Sequence, residues 1–254
     1  VIELRQLSKR YGEQTVVDQL DLTVQSGEFV ALLGESGSGK TTTLKCINRL
    51  VEPTSGQVLV HGADIATLDP VALRRGIGVV FQQVGLFPHW TVRRNVETVP
   101  RLLGWDAART TARVDSLLEW VGLPPATFAD RAPTELSGGQ AQRVGIARAL
   151  AAEVPILLLD EPFGALDPVT RDDLQRDVRA LHLRLGLTTV MVTHDVVEAL
   201  RMADRVGVMR DGTLLQVAPP AELVSAPAHP YVAELIDTTR QQLHRLESTL
   251  GAGS

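Results

Sequence analysis

Gly34-Glu-Ser-Gly-Ser-Gly-Lys-Thr41 is the first stretch whose residue types and spacing could do chemistry. Glycine lets successive backbone N–H groups curl toward one anion without Cβ clashes. A helix starting at the end of the stretch would add unpaired donors and a partial positive charge. Lys40 brings a full charge to the β- and γ-phosphates of a nucleotide, and the Thr41 hydroxyl can ligate Mg²⁺, an ion that keeps most of its positions for water and phosphate oxygens. The context agrees. Phe29–Leu33 is a continuous apolar run, expected of a strand buried on both faces, and Leu44, Ile47 and Leu50 recur at helical spacing just after Lys40. Strand, loop and helix with Gly34-x-x-x-x-Gly39-Lys40-Thr41 match the Walker A pattern, and Ser36, Gly37, Ser38 and Thr42 fall within the same expected cradle.

A second group lies far downstream. Ile156–Leu159 is apolar and ends in Asp160-Glu161. Carboxylates at the C-terminal end of a buried strand sit where open α/β sheets bind ligands. Read alone they are two solvated acids before a turn at Pro162. Read with the upstream cradle, Asp160 is expected to hold Mg²⁺ through water and Glu161 to polarise an attacking water. Between the two groups stands Leu136-Ser-Gly-Gly-Gln140, a glycine-rich turn that a simple nucleotide-binding domain does not need.

The elements that must position these groups follow from the periodicities. Val1–Leu7 and Thr15–Val24 alternate as strands, with a turn at Ser26-Gly27; Ile77–Phe81, Ile156–Asp160, Thr188–Thr193 and Arg205–Met209 read as buried strands. Pro53–Gly56 ends the helix that follows the cradle. Leu174, Val178, Leu181 and Leu185, then Ala199, Met202 and Ala203, recur at helical spacing, and strands alternating with helices imply a mainly parallel sheet. From about Gly85 to Glu153 the pattern is helical throughout (Val96–Leu103, Ala107–Val121, Gln140–Ala152) and reads as an inserted helical subdomain. After Pro220 there is one apolar turn at Tyr231–Ile236, a polar helix candidate at Thr239–Leu250, and Gly251–Ser254, expected to fray.

Composition sets bounds. The 254 residues are 44% hydrophobic and 22% charged with net charge −5, enough for one large α/β domain and without the basic excess of a nonspecific nucleic-acid binder. A single cysteine, Cys46, excludes an internal disulfide framework and fits a reducing compartment. No apolar run reaches the roughly 18–20 residues that span a bilayer, and Val1–Arg5 has no signal-peptide pattern; the expectation is a soluble intracellular protein able to dock on a membrane partner. His61, His89, His182, His229 and His244 form no metal-ligand spacing and are expected to be surface or packing residues, as is Cys46 behind the cradle. Arg74-Arg75 and Arg93-Arg94 read as solvated pairs, the second close to an expected docking surface.

Leu136-Ser-Gly-Gly-Gln140, placed between the cradle and Asp160-Glu161, resembles the signature of the ATP-binding cassette (ABC) proteins, and that family's other motifs appear in its order. Gln82 resembles the Q-loop glutamine, Ala165-Leu-Asp167 the D-loop, His194 the switch histidine, and Tyr11 the aromatic residue that stacks on adenine. The resemblance covers Ile2 to about Ile236. It implies an α/β P-loop NTPase core with an N-terminal antiparallel β subdomain and an inserted helical subdomain, a domain over residues 1–236 with the insertion at about 85–153, and a helical tail over 237–254. It implies ATP and Mg²⁺ as ligands, with Gln82 touching the metal beside Thr41 and Asp160, and His194 helping to hold Glu161 and the water in line. It also implies a head-to-tail homodimer, in which Ser137, Gly138, Gly139, Gln140 and Asp167 meet nucleotide held by the opposite copy.

Within that family, Gln82-Gln-Val-Gly-Leu-Phe-Pro-His-Trp-Thr-Val92, Val99-Pro-Arg-Leu-Leu-Gly-Trp-Asp106 and Asn48–Gly56 resemble ATPases of osmoprotectant (quaternary amine) uptake, which energise import of glycine betaine, choline and carnitine. The partners so implied are transmembrane permease subunits and a periplasmic or lipid-anchored substrate-binding protein, with the ATPase peripheral on the cytoplasmic face of the membrane. Two other readings compete: a cassette for another solute, and a non-transport ABC ATPase acting on ribosomes or DNA. The second usually has two cassettes or a long coiled-coil insertion, neither of which this sequence contains. Glu35 stands where the family often has proline, and Ala141 where it often has glutamine; neither is expected to impair phosphate binding. The stretch after Pro220 is too short for the paired regulatory domains of some relatives, which implies no direct osmotic gating by this stretch.

Overall fold

The computed structural model describes residues 1–251; the fraying expected for Gly251–Ser254 falls, from Ala252 on, outside the described residues. A first antiparallel sheet comprises β1 (Ile2–Tyr11), β2 (Gln14–Val24), β4 (Ser55–Val60) and β5 (Ala63–Asp64), ordered β2-β1-β4-β5. The central sheet is built from β3 (Phe29–Leu33), β6 (Ile77–Val80), β7 (Ile156–Asp160), β8 (Thr188–Thr193), β9 (Arg205–Arg210) and β10 (Thr213–Ala218), ordered β10-β9-β3-β8-β7-β6. All its pairings are parallel except β9 with β10.

The expected strands and the mainly parallel sheet are present, but the pattern misses some elements. Ser55-Gly56, read as a helix stop, also begins β4, and β10 was not anticipated. Both lie outside the continuous apolar runs of the central strands: β4 buries Val58 and Val60 and exposes Ser55–Gln57, and β10 is half-buried along most of its length.

Side chains of the central strands point alternately to two cores, as the pleat dictates. Phe29, Ala31 and Leu33 of β3 join Leu157, Leu159 and Met191 on one face, where the helices pack. Val30 and Leu32 join Leu158, Val190 and Val192 on the other, against the antiparallel sheet and α1 (Lys40–Ile47). After α2 (Pro70–Arg75), every regular element between β6 and β7 is helical: α3 (Val92–Val96), α4 (Thr98–Leu102), α5 (Ala107–Trp120), α6 (Pro125–Phe128), a single 3₁₀ turn at Pro133–Glu135, and α7 (Gly138–Leu150). The chain continues through α8 (Pro168–Leu185), α9 (Val196–Met202), α10 (Pro220–Ser225) and α11 (Pro230–Gly251). The two helical pieces expected near the C-terminus are thus one helix. Among the described residues no helix is long and apolar enough to cross a membrane.

His182 and Cys46 are packing residues. The His182 ring is buried, with Nδ1 2.9 Å from Thr189 Oγ1 and its edge toward Phe29. Cys46 is fully buried, and burial pushes its thiol up to about 11.

Candidate functional site

Four neighbouring parallel strands deliver the site. In spatial order β3, β8, β7 and β6 end at Leu33, Thr193, Asp160 and Val80, and their registers keep those ends level: Leu33 pairs with Thr193, Asp160 with Val192, and Val80 with Leu159. The residues just beyond are the cradle, His194, Glu161 and Gln82. Open α/β sheets bind ligands at this edge, and an open cavity of about 690 Å³ lies there. Gly34, Ser36, Gly37, Gly39, Lys40, Thr41, Thr42, Gln82, Glu161 and His194 all line it.

The cradle is shaped by its backbone. Gly39 caps α1 at φ +97°, and a Cβ there would stand 2.4 Å from the Val16 carbonyl, so this position admits no larger residue without a shift. No side chain caps α1, which leaves its first N–H groups to the cavity. Ser38 is buried, and Lys40 Nζ donates to the Gly34 and Glu35 carbonyls at 2.7 Å each. Burial lowers the Lys40 pKa, while the carboxylates of Glu161, Asp160 and Glu35 raise it. A cation held among carbonyls and acids at the floor of a cavity is well placed for a polyanion.

The acids make side-chain contacts with other residues of the site. Thr41 Oγ1 donates to Asp160 Oδ1 at 2.7 Å. Glu161 Oε2 accepts from Gln82 Nε2 at 3.3 Å and lies 3.2 Å from His194 Nδ1. Glu161 itself holds φ +45°, a left-handed conformation that side chains rarely adopt, with its N–H donating to the Val192 carbonyl at 3.0 Å. The metal test is one of donor chemistry. The Thr41 hydroxyl, the Asp160 carboxylate and the Gln82 amide are hard oxygen donors, as Mg²⁺ requires. Among the described residues no group of three or more His, Cys, Asp or Glu could cage a metal alone.

The signature lies elsewhere on the same chain. Ser137 caps α7 in a reciprocal box: its Oγ accepts from Gln140 N–H at 3.3 Å, and Gln140 Oε1 accepts from Ser137 N–H at 3.0 Å. The Ser137 hydroxyl therefore keeps its own proton to donate. Ser137, Gly139 and Gln140 line a separate depression of about 440 Å³ with Arg143 and Asp173, and neither they nor Gly138 line the cradle cavity. Asp167 caps α8, accepting from Thr170 N–H at 3.1 Å, and is likewise absent from the cradle wall.

Tyr11 is not brought to the cavity. It ends β1, half exposed, with Lys9 Nζ 4.9 Å from its ring centroid. Val16, on the next strand of the same hairpin, lines the wall instead. The sequence also missed Tyr231, Leu235 and Glu35 as lining residues. Tyr231 OH donates to Glu35 Oε1 at 3.2 Å, and the Arg210 guanidinium stands 4.5 Å from the Tyr231 ring centroid. Nothing in a local pattern signals a contact across 196 positions.

Beside the Gln82 loop runs a largely apolar groove of about 480 Å³, lined by Leu50, Phe81, Val84, Phe87 and Val99. Phe81, Phe87 and Leu50 are 37%, 45% and 47% exposed, so accessible apolar surface is concentrated here. Arg148 of α7 donates to the Val84 and Gly85 carbonyls at 2.6 and 2.8 Å, fastening the groove to the helix that begins at the signature.

Comparison with known proteins agrees with this geometry. Residues 17–164 match the ABC transporter family. The glycine betaine/carnitine/choline transport ATP-binding protein OpuCA of Bacillus subtilis (strain 168) is 48% identical over 241 residues, covering 94% of this chain and 63% of that protein. The glycine betaine uptake system ATP-binding protein YehX of Escherichia coli (strain K12) is 48% identical over 234 residues, covering 92% and 76%. The chain thus spans under two thirds of the length of most of these first relatives. Among solved structures, the dimeric bacterial ABC transporter cassette MJ0796 superposes with TM-score 0.78 at 37% identity, covering 87% of this chain and 99% of that one. The same cassette is also known as a dimer in a post-hydrolysis state bound to ADP and Pi. The chain has the P-loop ABC ATPase fold and belongs to the ABC transporter family.

Proposed function

We propose that this chain is the ATP-hydrolysing subunit of an ABC importer for quaternary amine osmoprotectants, working as a head-to-tail dimer on membrane subunits. The observation that carries the hydrolytic part is the convergence on Glu161: one carboxylate oxygen lies within reach of Gln82 Nε2 and His194 Nδ1, in the cavity that Lys40 and Thr41 line.

ATP lies with its β- and γ-phosphates on Lys40 and on the first N–H groups of α1. Thr41, Gln82 and, through water, Asp160 would hold Mg²⁺, which would supply neutralisation of the phosphate charge. Glu161 orients and polarises a water that attacks the γ-phosphorus, and accepts the proton that the water gives up. The new P–O bond forms as the bond to the β–γ bridging oxygen breaks, and ADP leaves with that electron pair. His194 holds Glu161 and the water in line. Removing one such preorganised contact typically costs about 10²–10³ in rate.

The cradle wall lacks any residue of the signature, so a second copy is taken to supply Ser137, Gly138, Gly139, Gln140 and Asp167 to each nucleotide. The groove beside Gln82 is the expected seat for a membrane subunit, because closure at the nucleotide would shift it through α7 and the Arg148 contacts. The peripheral cytoplasmic position, the permease subunits and a separate substrate-binding protein follow from that reading, as does adenine stacking on Tyr11 once the hairpin carrying Val16 meets the base. The substrate class is supported by Gln82–Asp106 and by the osmoprotectant relatives.

The test is reconstitution with cognate membrane subunits and binding protein in liposomes. ATP-dependent uptake of glycine betaine, choline or carnitine supports the whole reading. Uptake of a different solute class alone overturns the amine assignment but leaves the ATPase. ATP binding without hydrolysis in the complete complex overturns the enzyme itself.

A further inference from the structure

Beside the hydrolytic residues lies a small, partly exposed polar cluster. Arg171 sits in the first turns of α8, just after the Ala165-Leu-Asp167 turn. Its Nη2 donates to the Leu166 carbonyl at 3.2 Å, and its Nη1 lies 3.7 Å from Asp195 Oδ2, the residue that follows His194. Asp195 is held in turn: its N–H donates to Thr193 Oγ1 at 3.0 Å, and its Oδ1 accepts the Glu198 N–H at 3.0 Å. Glu198 is buried at 5% exposure, and its Oε2 accepts from Gln175 Nε2 at 3.4 Å.

Two polar atoms of this cluster, Arg171 Nε and Glu198 Oε1, are buried without a partner. Such atoms are costly unless satisfied. Both residues line a cavity of about 40 Å³ whose wall also includes Glu161, Gly164, Thr193 and His194. That volume is polar and sufficient for a water, which needs two to four polar partners.

We propose that Arg171 and Glu198 are positioning residues for hydrolysis: with Asp195 and a water in this cavity they lock the Leu166–Asp167 turn to the His194 turn. His194 then faces Glu161 only while the Asp167 turn is in place. The consequence is directional. Asp167 belongs to the surface expected to meet the second copy, so its docking would be felt at His194 through this polar link rather than through the nucleotide. The inference rests on the hydrolytic reading given above.

The test is a double-mutant cycle on ATP turnover by the chain, with nucleotide affinity and Tm measured for each variant. Arg171→Met keeps the aliphatic stem and removes every polar contact. In the otherwise unchanged chain it is expected to lower kcat about 10–100-fold, the cost of misplacing a reacting group by about an ångström, with the ATP dissociation constant within about twofold. In a His194→Ala background the same substitution is expected to remove nothing further, because residues acting as one unit are non-additive. Arg171→Lys, which keeps the charge and one contact, is expected to show a smaller loss with the same non-additivity, and stands in for Arg171→Met if the latter does not fold. Equal fold-losses in both backgrounds, or a loss confined to ATP affinity, overturn the proposal while leaving the hydrolase intact. A chain that binds but never hydrolyses ATP overturns both.

Discussion

Glu198 offers a quantitative check because its burial has a thermodynamic consequence that does not depend on ATP. Its carboxyl is pushed from an ordinary 4.5 up to about 7, chiefly by burial. The neighbours divide: Asp195, at the start of α9, raises it further, while Thr193 at the end of β8 and Arg171 and Gln175 of α8 favour the charged form. The folded-state pKa is therefore raised above the unfolded value, and the group's contribution is fully present below about pH 4.5 and lost as pH rises through about 7. A shift of this size corresponds to about 3 kcal/mol at 1.36 kcal/mol per pH unit. Glu198→Gln keeps the shape and the acceptor facing Gln175 but carries no charge at any pH. At pH 8 the variant should thus be more stable than the parent by up to about 3 kcal/mol, and at pH 4.5 the advantage should vanish. For a chain of this size that difference moves Tm by about 6–12 °C. Urea or thermal unfolding at pH 4.5, 6, 7 and 8 reads it directly. A gap that stays constant with pH, or a variant less stable at pH 8, refutes the reasoning.

Two further outcomes test the divided site. Glu161→Gln should bind ATP normally and accumulate as an ATP-bound dimer on size exclusion; a monomer with ATP and unimpaired nucleotide binding would count against the head-to-tail arrangement. Gly138→Ala should leave Tm unchanged or slightly higher, since alanine is favoured over glycine in helices by about 1 kcal/mol and a Cβ there meets nothing within 4 Å, yet should cut ATP turnover; normal turnover in that variant would remove the signature from the reaction.

The cradle-side residues that could be read from the sequence share one property: each stands at or near the end of a buried central strand. Gly34 follows β3, Asp160 ends β7, His194 follows β8, and Gln82 lies two residues beyond β6. A strand buried on both faces announces itself as an unbroken apolar run, and a level parallel sheet brings the ends of such runs together. What escaped is what needs distance or weak pattern. The walls supplied by Val16, Tyr231 and Leu235 come from a hairpin and from α11, and no local period couples them to the cradle. Helix α11 looked like two pieces because Asp237-Thr-Thr-Arg240 interrupts its apolar stripe; the polar turn stays helical, with Thr239 Oγ1 donating back to the Leu235 carbonyl at 3.0 Å. The left-handed Glu161 was equally invisible, since an acid after a strand carries no signal of its φ.

The two glycines of the signature separate structural need from an external one. Gly139 has a reason inside its own chain: a Cβ there would stand 2.4 Å from the Thr170 methyl, so its absence lets α7 pack beside α8. Gly138 has none, since a Cβ there would meet open space, its φ is not positive, and Ser137 and Gln140 already complete the cap without it. A bare backbone at the exposed start of a 13-residue helix, next to a serine hydroxyl with a proton still to give, is a donor surface that its own chain does not use. The cradle presents the converse: a buried cation, a left-handed acid and an open mouth, lined on one side by Tyr231 and Leu235 and on no side by the signature. One copy holds the two surfaces in separate depressions, and on the head-to-tail reading proposed above a nucleotide bridges them across two copies. The Asp195–Arg171 link then acquires its purpose, since it is the path by which the acid beside the second copy's surface can set the histidine beside its own.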